Sequence, residues 1–322
     1  MPDMLIPPIS NSPDKVQLVR PAHVYFEHPD LEEFVEFARD FGLVEVARRG
    51  GTIYFRGYGK DPYVYVATES KDGQPKFNGP AFVAANQEEF EKTLKIPGAI
   101  PSSLENTPGG GRMVTFERSD NTKFHVVYGQ AEEDARGAPL SATHEEQGPF
   151  NGPFQKPRLG KFQRYHEGPA LVHKLGHIGY VYRDFDNELA WYTSNFNFVP
   201  SNILHHWDFS NIDVLTFMHL DLGKDYSDHH SLFLQRAPPE VQKSYVHHTS
   251  YEVADFDTQL IGHDCQIFDY WCDPNGFKIE HYADGDVVNE DTPMTREPVG
   301  PLSVWGPELP KDFGVDTTKY AS

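Results

Sequence analysis

The chain has 322 residues and a formal net charge of −20 at pH 7, enough sequence for one large or two ordinary domains. The acidic charge argues against a nucleic-acid or anionic-membrane partner, because both bind through basic surfaces. The two cysteines cannot form a disulfide framework, and the N-terminus has neither the basic nor the apolar segment of a signal peptide. No apolar run is long enough to span a bilayer, so we expect a cytoplasmic protein.

The N-terminal part of the chain predicts two rounds of one element order: a strand, a helix and further strands. Apolar residues at helical spacing predict a helix over residues 31–41 in the first round and over residues 87–94 in the second. Runs rich in β-branched and aromatic residues predict the strands around these helices. The predicted strands cover residues 22–28, 52–55 and 63–68, and then residues 82–84, 112–116 and 123–128.

The C-terminal part begins a third round after residues 131–170, a stretch rich in Gly, Pro and charged residues that predicts a linker. A helix is predicted over residues 187–194. The strands predicted around it cover residues 175–182, 196–199, 214–222 and 230–235.

The fourth round is unusually short. It opens with a strand predicted over residues 246–253, but only 12 residues separate Val253 from Gln266. A helix, a returning strand and their turns do not fit into that length, so we expect most of the helix and one strand to be missing. The loss of a helix predicts an exposed apolar face on the outside of the sheet.

Two stretches of the C-terminal part align directly, LGHIGYVYRDFD at residues 175–186 and VHHTSYEVADFD at residues 246–257. Such self-similarity indicates an internal repeat. In this register His177 matches His248, and each histidine is followed two positions later by a small residue that would leave room for a ligand. These small residues are Gly179 and Ser250.

The stretch from residue 265 to residue 282 predicts two strands joined by a turn at Asp273-Pro274-Asn275-Gly276. Glu280 lies in the middle of the second strand, where burial of a carboxylate is costly unless a cation meets it. Together, His177, His248 and Glu280 would supply the two imidazoles and one carboxylate that hold iron in non-haem Fe(II) oxygenases. The alternative is that either histidine is a hydrogen-bonded core or surface residue.

Three motifs carry a resemblance to a known family. They are Tyr270-Trp271-Cys272-Asp273-Pro274-Asn275-Gly276-Phe277-Lys278-Ile279-Glu280, Gly176-His177-Ile178 and His247-His248-Thr249. On these motifs the chain resembles, over residues 20–305, the type I extradiol catechol dioxygenases of the vicinal oxygen chelate superfamily. This group contains 2,3-dihydroxybiphenyl and catechol 2,3-dioxygenases. The resemblance implies an α+β fold in which tandem βαβββ modules form two open-barrel domains, with the fourth module truncated in this chain.

The resemblance also implies a set of metal ligands and partners. His177, His248 and Glu280 would bind Fe(II), with Mn(II) as the alternative metal. The partners would be a small-molecule catechol, whose ring opens beside its two hydroxyls, and O₂, and the protein would form a homo-oligomer. In the family, a histidine that opens the last strand of the third module hydrogen-bonds dioxygen. We assign this role first to His229, with His230 as the alternative.

Two further residues match the family less directly. Tyr270 matches a tyrosine near the catechol oxygens, and its alternative role is a core aromatic that packs across strands. Another active-site histidine of the family falls in the shortened region, where His263 is the nearest candidate. His263 is either a shifted substitute or a loop histidine, and we favour the loop. In the first module His23 matches His177 but has no second imidazole or carboxylate beside it, so we expect the N-terminal modules to be a scaffold.

These predictions divide the chain into five segments and leave three functions open. The segments are an arm at 1–20, a non-catalytic domain at 21–130, a linker at 131–170, a metal-binding domain at 171–290 and a Pro-rich tail at 291–322. The prolines of the tail predict that it forms no continuous sheet or helix. The leading function is an extradiol dioxygenase. A glyoxalase-like enzyme is one alternative, and a non-catalytic metal- or ligand-binding relative is another, because the fourth module is short.

Overall fold

The computed structural model describes residues 3–133, 153–156, 169–254, 261–263 and 266–300. The predicted linker lies largely outside these residues. None of the helices in the described residues has the length and apolar character needed to cross a membrane.

The first two modules form one eight-stranded sheet in the order β2-β3-β4-β1-β5-β8-β7-β6. Strands β1 and β4 are parallel, β5 and β8 are parallel, and β1 pairs with β5 in antiparallel fashion. The elements are β1 (Leu18–His28), α1 (Leu31–Phe41), β2 (Val44–Arg49), β3 (Thr52–Arg56), β4 (Tyr65–Glu69), β5 (Lys76–Ala84), α2 (Gln87–Thr93), β6 (Ile100–Ser103), β7 (Arg112–Glu117) and β8 (Lys123–Tyr128).

The third and fourth modules form a nine-stranded sheet in the order β15-β16-β17-β14-β9-β13-β11-β10-β19, and β12 and β18 form a separate pair. The α+β fold of repeated modules is therefore confirmed. The elements are β9 (Val172–Tyr182), α3 (Phe185–Asn195), β10 (Phe198–His205), β11 (Asp213–Leu220), β12 (Ser227–Asp228), β13 (Leu232–Arg236), β14 (Tyr245–Val253), β15 (Ile261–His263), β16 (Gln266–Cys272), β17 (Lys278–Ala283), β18 (Val287–Val288) and β19 (Thr295–Pro298).

Both ends of the chain contribute to the second sheet. Met4 forms a parallel bridge with Ile212, and the backbone N–H of Ile6 donates to the buried carboxylate of Asp213 at 2.8 Å. At the other end, β19 pairs with β10 in parallel over four residues, so a short part of the Pro-rich tail joins the sheet without forming a long continuous strand. An edge position explains how these residues tolerate Pro298, because an edge strand leaves one side of its backbone unpaired.

The fourth module retains all four strands. The prediction that one strand is missing is wrong, because the three-residue strand β15 pairs with β16 at the edge of the sheet. Only seven residues lie between Val253 and Ile261, which is too few for a helix as long as α1 or α3 with its turns. Of these seven, residues 255–260 lie outside the described part of the chain.

Helix α1 of the first module covers the outer face of the fourth. The Phe41 ring stacks on His281 with centroids 3.7 Å apart, and it also packs against Trp271 and Tyr251. The His281 Nε2–H donates to the Phe41 carbonyl at 2.8 Å. The predicted exposure of this face is therefore wrong at these positions, since a helix distant in sequence packs where the face would otherwise meet solvent.

The N-terminal and C-terminal sheets share one continuous hydrophobic core. Phe82 of β5 contacts Phe198 of β10, and Phe26 of β1 contacts Phe277 in the turn before β17. Helix α1 has clear start and stop signals. The Asp30 side chain accepts from two backbone N–H groups of the first turn, and Gly42, with φ of 103°, ends the helix. These signals fix the helix that supports the fourth module.

Candidate metal centre

Four neighbouring strands place the predicted site residues in one row across the second sheet. Tyr270 on β16 lies opposite Glu280 on β17, which lies opposite Ser250 on β14, which in turn lies opposite His177 on β9. Residues paired in this way point to the same face of a sheet. His248 precedes Ser250 by two positions on β14 and so shares that face. The fold therefore brings all three predicted ligands together.

The three ligand atoms form a small, fully buried triangle. Glu280 Oε2 lies 3.0 Å from His177 Nε2 and 3.3 Å from His248 Nε2, and the two nitrogens lie 3.1 Å apart. Two ligands at about 2.1 Å from an ion and at right angles to each other are separated by about 3.0 Å. The triangle thus fits one face of an octahedral site. In the described residues no other group of three or more His, Cys, Asp or Glu side chains converges in this way.

The protonation states of the cluster also suit a metal. Burial by itself would raise the pKa of Glu280, but the two neighbouring imidazoles outweigh burial and lower it. Burial lowers the pKa of His248 despite the opposing effect of Glu280. At neutral pH the site therefore offers an anionic carboxylate and, at His248, a neutral imidazole, which are the forms that bind metal ions.

His247 contacts the cluster in a way that the sequence did not predict. Its Nδ1 lies 2.8 Å from Nδ1 of His248. If His248 binds metal through Nε2, its Nδ1 carries the proton and donates to His247, which fixes the orientation of the ligand ring. Strict alternation would place adjacent residues on opposite faces, but the pairing register shifts between Val246 and His248. The only sequence signal for this contact is the adjacent pair His247-His248, and such a pair does not predict a β-bulge.

The two candidate histidines of the third module are not equivalent. The buried His230 ring lies 4.1 Å from the His177 ring, centroid to centroid, and packs against Phe217. His229 is only half-buried, and its Nδ1 lies 3.1 Å from Nδ1 of His230. His230 rather than His229 therefore lies against the ligand cluster, and the catalytic role of either histidine stays a prediction.

The remaining catalytic candidates are Tyr270 and His263. The Tyr270 ring lies 5.1 Å from the His248 ring, so the tyrosine is beside the cluster as expected. His263 ends β15 and pairs with Gln266, which places it on a strand rather than in the loop that we favoured. The His263 side chain is outside the described part of the structure, and its role stays a prediction.

The two small residues of the repeat have different surroundings. Ser250 is fully buried between Glu280 and His177 and is not among the residues that line the cavity described below, so the space for a ligand at this position stays a prediction. At Gly179 the expectation is wrong. A Cβ there would overlap the Phe233 ring, so the space belongs to that side chain. The Phe233 ring in turn packs on His248.

A cavity of about 940 Å³ reaches the cluster. His247, His248 and Tyr270 line it on the side of the fourth module. Strands β10, β11 and β13 and the segment after β13 supply most of the remaining wall. The cavity gives a small molecule access to one of the three candidate ligands.

The N-terminal sheet has no corresponding cluster. His23 of β1 lies opposite Ala81, and its Nε2 forms a hydrogen bond of 2.9 Å with the Tyr25 hydroxyl. Burial and the nearby cationic groups hold the pKa of His23 well below its ordinary value. These contacts hold the His23 ring within the N-terminal sheet, and the scaffold role of this half stays a prediction.

The turn that precedes Glu280 is anchored to the first module. The Asp273 carboxylate accepts from the backbone N–H groups of Asn275 and Phe277, and the Asn275 side chain donates to His28 Nδ1 at 2.9 Å. Burial raises the pKa of Asp273 to about 7, although the backbone donors oppose this effect. The turn therefore contains a carboxyl group that titrates near neutral pH in the folded state.

We expect Asp273→Asn to change how stability depends on pH. The pKa of Asp273 is higher in the folded state, about 7, than the ordinary value of 3.8 for an aspartate side chain. Its contribution to stability is therefore complete below about pH 4 and is lost as the pH rises towards 7, with a slope of up to about 1.4 kcal/mol per pH unit. Urea unfolding of metal-free wild type and variant from pH 4.5 to 8 measures this. The free energy of unfolding of the wild type should fall relative to that of the variant as pH rises, whereas parallel curves would contradict the assignment.

Comparison with solved structures identifies the fold. The chain is 18% identical to the Mn(II)-bound glyoxalase from Novosphingobium aromaticivorans, with 94% of each chain covered and a TM-score of 0.68. It is 14% identical to homoprotocatechuate 2,3-dioxygenase from Brevibacterium fuscum in complex with 3,4-dihydroxyphenylacetate, covering 95% of this chain and 94% of that one, with a TM-score of 0.69. The 2,3-dioxygenase LapB from Pseudomonas sp. KL28 is 18% identical, with 88% of this chain and 98% of that chain covered and a TM-score of 0.65.

Sequence comparison gives no closer assignment, since no protein-family model and no curated protein sequence matches the chain. Identities this low establish a shared fold and not a shared reaction. The order of modules and the coverage of nearly the whole chain by these structures lead to one conclusion. The chain has the vicinal oxygen chelate fold that the extradiol dioxygenases and the glyoxalase share.

Proposed function

We propose that the protein is an extradiol ring-cleaving dioxygenase that holds Fe(II) through His177, His248 and Glu280. The single observation that carries this proposal is the triangle of one carboxylate oxygen and two imidazole nitrogens, with edges of 3.0–3.3 Å. Two solved 2,3-dioxygenases with the same fold support the reaction class. In this reaction both atoms of O₂ enter a catechol.

The bound ion would act as a Lewis acid that favours the deprotonated catechol and holds it next to O₂. The protein contributes the orientation of the ligands and the exclusion of water. His247 holds the His248 ring through the contact between their Nδ1 atoms, and Phe233 packs on the same ring. The mainly apolar wall of the cavity keeps water away from the reacting ring.

Two side chains of this site would move protons. Tyr270 lines the cavity and packs on His248. Its hydroxyl would therefore hold a catechol oxygen and exchange a proton with that oxygen. His230 packs against His177 on the other side of the cluster and is the better candidate for a group that meets dioxygen. Imidazole is the side chain that enzymes use most often for proton transfer.

Anaerobic reconstitution with Fe(II), followed by a catechol and air, tests the function. The proposal predicts one tightly bound iron per chain and a coloured ring-opened product that forms only in air. Tight iron binding without product would support a non-catalytic relative. Failure to bind iron would remove the whole scheme.

A glyoxalase-like reaction is the second candidate, because the Mn(II)-bound glyoxalase is as similar in fold as the dioxygenases are. Tyr270, ten positions before Glu280 and beside His248, favours the dioxygenase. The Mn(II)-loaded protein, assayed with the hemithioacetal of a 2-oxoaldehyde, decides between the two. Turnover of that compound, with no cleavage of any catechol by the Fe(II)-loaded form, would establish the second candidate.

Tyr270→Phe is expected to reduce kcat for ring cleavage by roughly 100-fold, because it removes the proton-bearing hydroxyl but keeps the ring. Iron affinity should stay the same, since Tyr270 is not one of the proposed ligands. Steady-state kinetics and an iron titration measure the two effects. Tyr226→Phe is the matched control, because Tyr226 is exposed. Unchanged turnover in Tyr270→Phe would show that the hydroxyl has no part in the reaction.

A further inference from the structure

The cavity at the cluster is much larger than a catechol ring requires. Its volume of about 940 Å³ lies near the upper end of the roughly 300–1,000 Å³ found for pockets that hold drug-sized ligands. Among the three proposed metal ligands, only His248 lines it. Most of the cavity therefore extends away from the metal position, and a bound catechol would leave that part unfilled unless it carries a large substituent.

The wall of this extension is apolar. Aromatic and aliphatic side chains dominate the described part of it, and several come from strands β10, β11 and β13. Those used below are Leu204, Trp207, Phe209, Leu215, Phe217 and Phe233. Trp207 is 66% and Phe209 42% exposed to solvent, although residues of this size are usually covered. An apolar ligand in the cavity would cover them.

The wall contains two arginines, and Arg236 already has a carboxylate partner. Arg236 forms two hydrogen bonds with the Asp186 carboxylate, at 2.7 and 2.8 Å, and its Nε–H donates to the Asp213 carbonyl. Arg183 donates to the Gln242 carbonyl at 3.0 Å. The described wall contains no Lys, Asp or Glu. A substrate carboxylate beside Arg236 would therefore lose its hydration without gaining an unpaired cation, and Arg183 is exposed to solvent, which weakens any ion pair that it forms.

We propose that the preferred substrate is a catechol with a large, uncharged, apolar substituent, and this inference rests on the proposed ring-cleaving function. The two hydroxyls meet the metal position beside His248 and Tyr270, and the substituent lies along the wall formed by Leu215, Phe217 and Phe233. The apolar area removed from water favours such a substrate over unsubstituted catechol. The pairing of Arg236 with Asp186 disfavours one that ends in a carboxylate.

The test compares kcat/KM of the Fe(II)-loaded protein for three kinds of substrate: catechol, a pentylcatechol and a 5-(dihydroxyphenyl)pentanoate. The two substituted compounds are each tested as the isomer substituted at ring position 3 and as the isomer substituted at ring position 4. The two substituted compounds have side chains of equal length and differ in the charge at the end. We expect at least one pentylcatechol to exceed both catechol and its carboxylate counterpart by about 100-fold. Comparable values for all three would overturn the substrate preference and leave the ring-cleaving function intact. Cleavage of none of them by the iron-loaded protein would overturn both.

A variant of the wall gives a second measurement. Leu215→Arg places an unpaired cation in the apolar extension, and it should lower the preference for pentylcatechol over the pentanoate by at least about 10-fold. Leu215→Met keeps the volume and apolar character and should keep the preference. Iron binding and thermal unfolding show whether each variant is folded. An unchanged preference in a folded, iron-loaded Leu215→Arg protein would place the substituent elsewhere.

Discussion

Replacing Glu280 with glutamine is expected to weaken Fe(II) binding by more than about 100-fold and to reduce ring cleavage to the background rate. The carboxylate is the only anionic member of the cluster, and its oxygen lies within 3.3 Å of both imidazole nitrogens. An amide of almost the same shape keeps the packing and removes the charge that offsets the metal ion. Loss of a residue that only orients a metal ligand already costs 10- to 100-fold in affinity, so loss of a ligand should cost more.

Glu252→Gln is the matched control for this substitution. Glu252 lies on β14 in the same sheet, but its carboxylate is half-buried and pairs with Lys174 at 3.3 Å. An exposed or half-exposed ion pair of this kind contributes little to stability. Iron affinity and turnover should therefore match those of the wild type. If Glu280→Gln and Glu252→Gln bind Fe(II) equally well, Glu280 is not a ligand.

Phe41→Ala is expected to destabilise the protein by about 3–5 kcal/mol and to weaken iron binding, although Phe41 belongs to the first module. The fully buried ring packs on Tyr251, Trp271 and His281 of the fourth module, so its loss leaves a cavity between the two sheets. His281 directly follows Glu280 on β17. A shift of this strand would move the carboxylate away from the two imidazoles, and we expect the iron affinity to fall by about 10-fold or more.

Phe90→Ala separates this effect from a general loss of stability. Phe90 is equally well buried on α2, but it packs on Tyr128 of the N-terminal sheet. Urea unfolding should show a comparable loss of stability for both variants. An iron titration, at a temperature at which both remain folded, should show weaker binding only for Phe41→Ala. Equal iron affinities would mean that α1 covers the fourth module without positioning Glu280.

The sequence predicts which side chains come together at the cluster, because their signals are local. The match between His177 and His248 reflects a real symmetry of the pairing, in which His177 lies opposite Ser250 and His248 lies opposite Gly179. The turn residues before Glu280 likewise predict the β16–β17 hairpin. Alternation along each strand then gives the shared face.

Other features depend on contacts between distant parts of the chain, and local patterns do not contain them. The hydrogen bond from His281 to Phe41 joins residues 240 positions apart, so the cover provided by α1 could not be inferred from the short fourth module. The strand β2, Val44–Arg49, alternates only over Val44-Glu45-Val46 and is largely exposed, so its pattern is too short to reveal it. Alternation predicts that His247 and His248 point to opposite faces, but the bulge at His247 brings their rings into contact. The choice between His229 and His230 depends on the packing of His230 against Phe217, which is distant in sequence from the proposed metal ligands.

Crystals of the protein loaded anaerobically with Fe(II), measured at the iron absorption edge, give the most direct test of the central claim. We predict one strong anomalous peak per chain, at about 2.0–2.2 Å from His177 Nε2, His248 Nε2 and a carboxylate oxygen of Glu280, the usual length for such metal bonds. A peak bonded to other residues would contradict the account. So would a site without a peak at saturating Fe(II), in which Glu280 only hydrogen-bonds the two histidines.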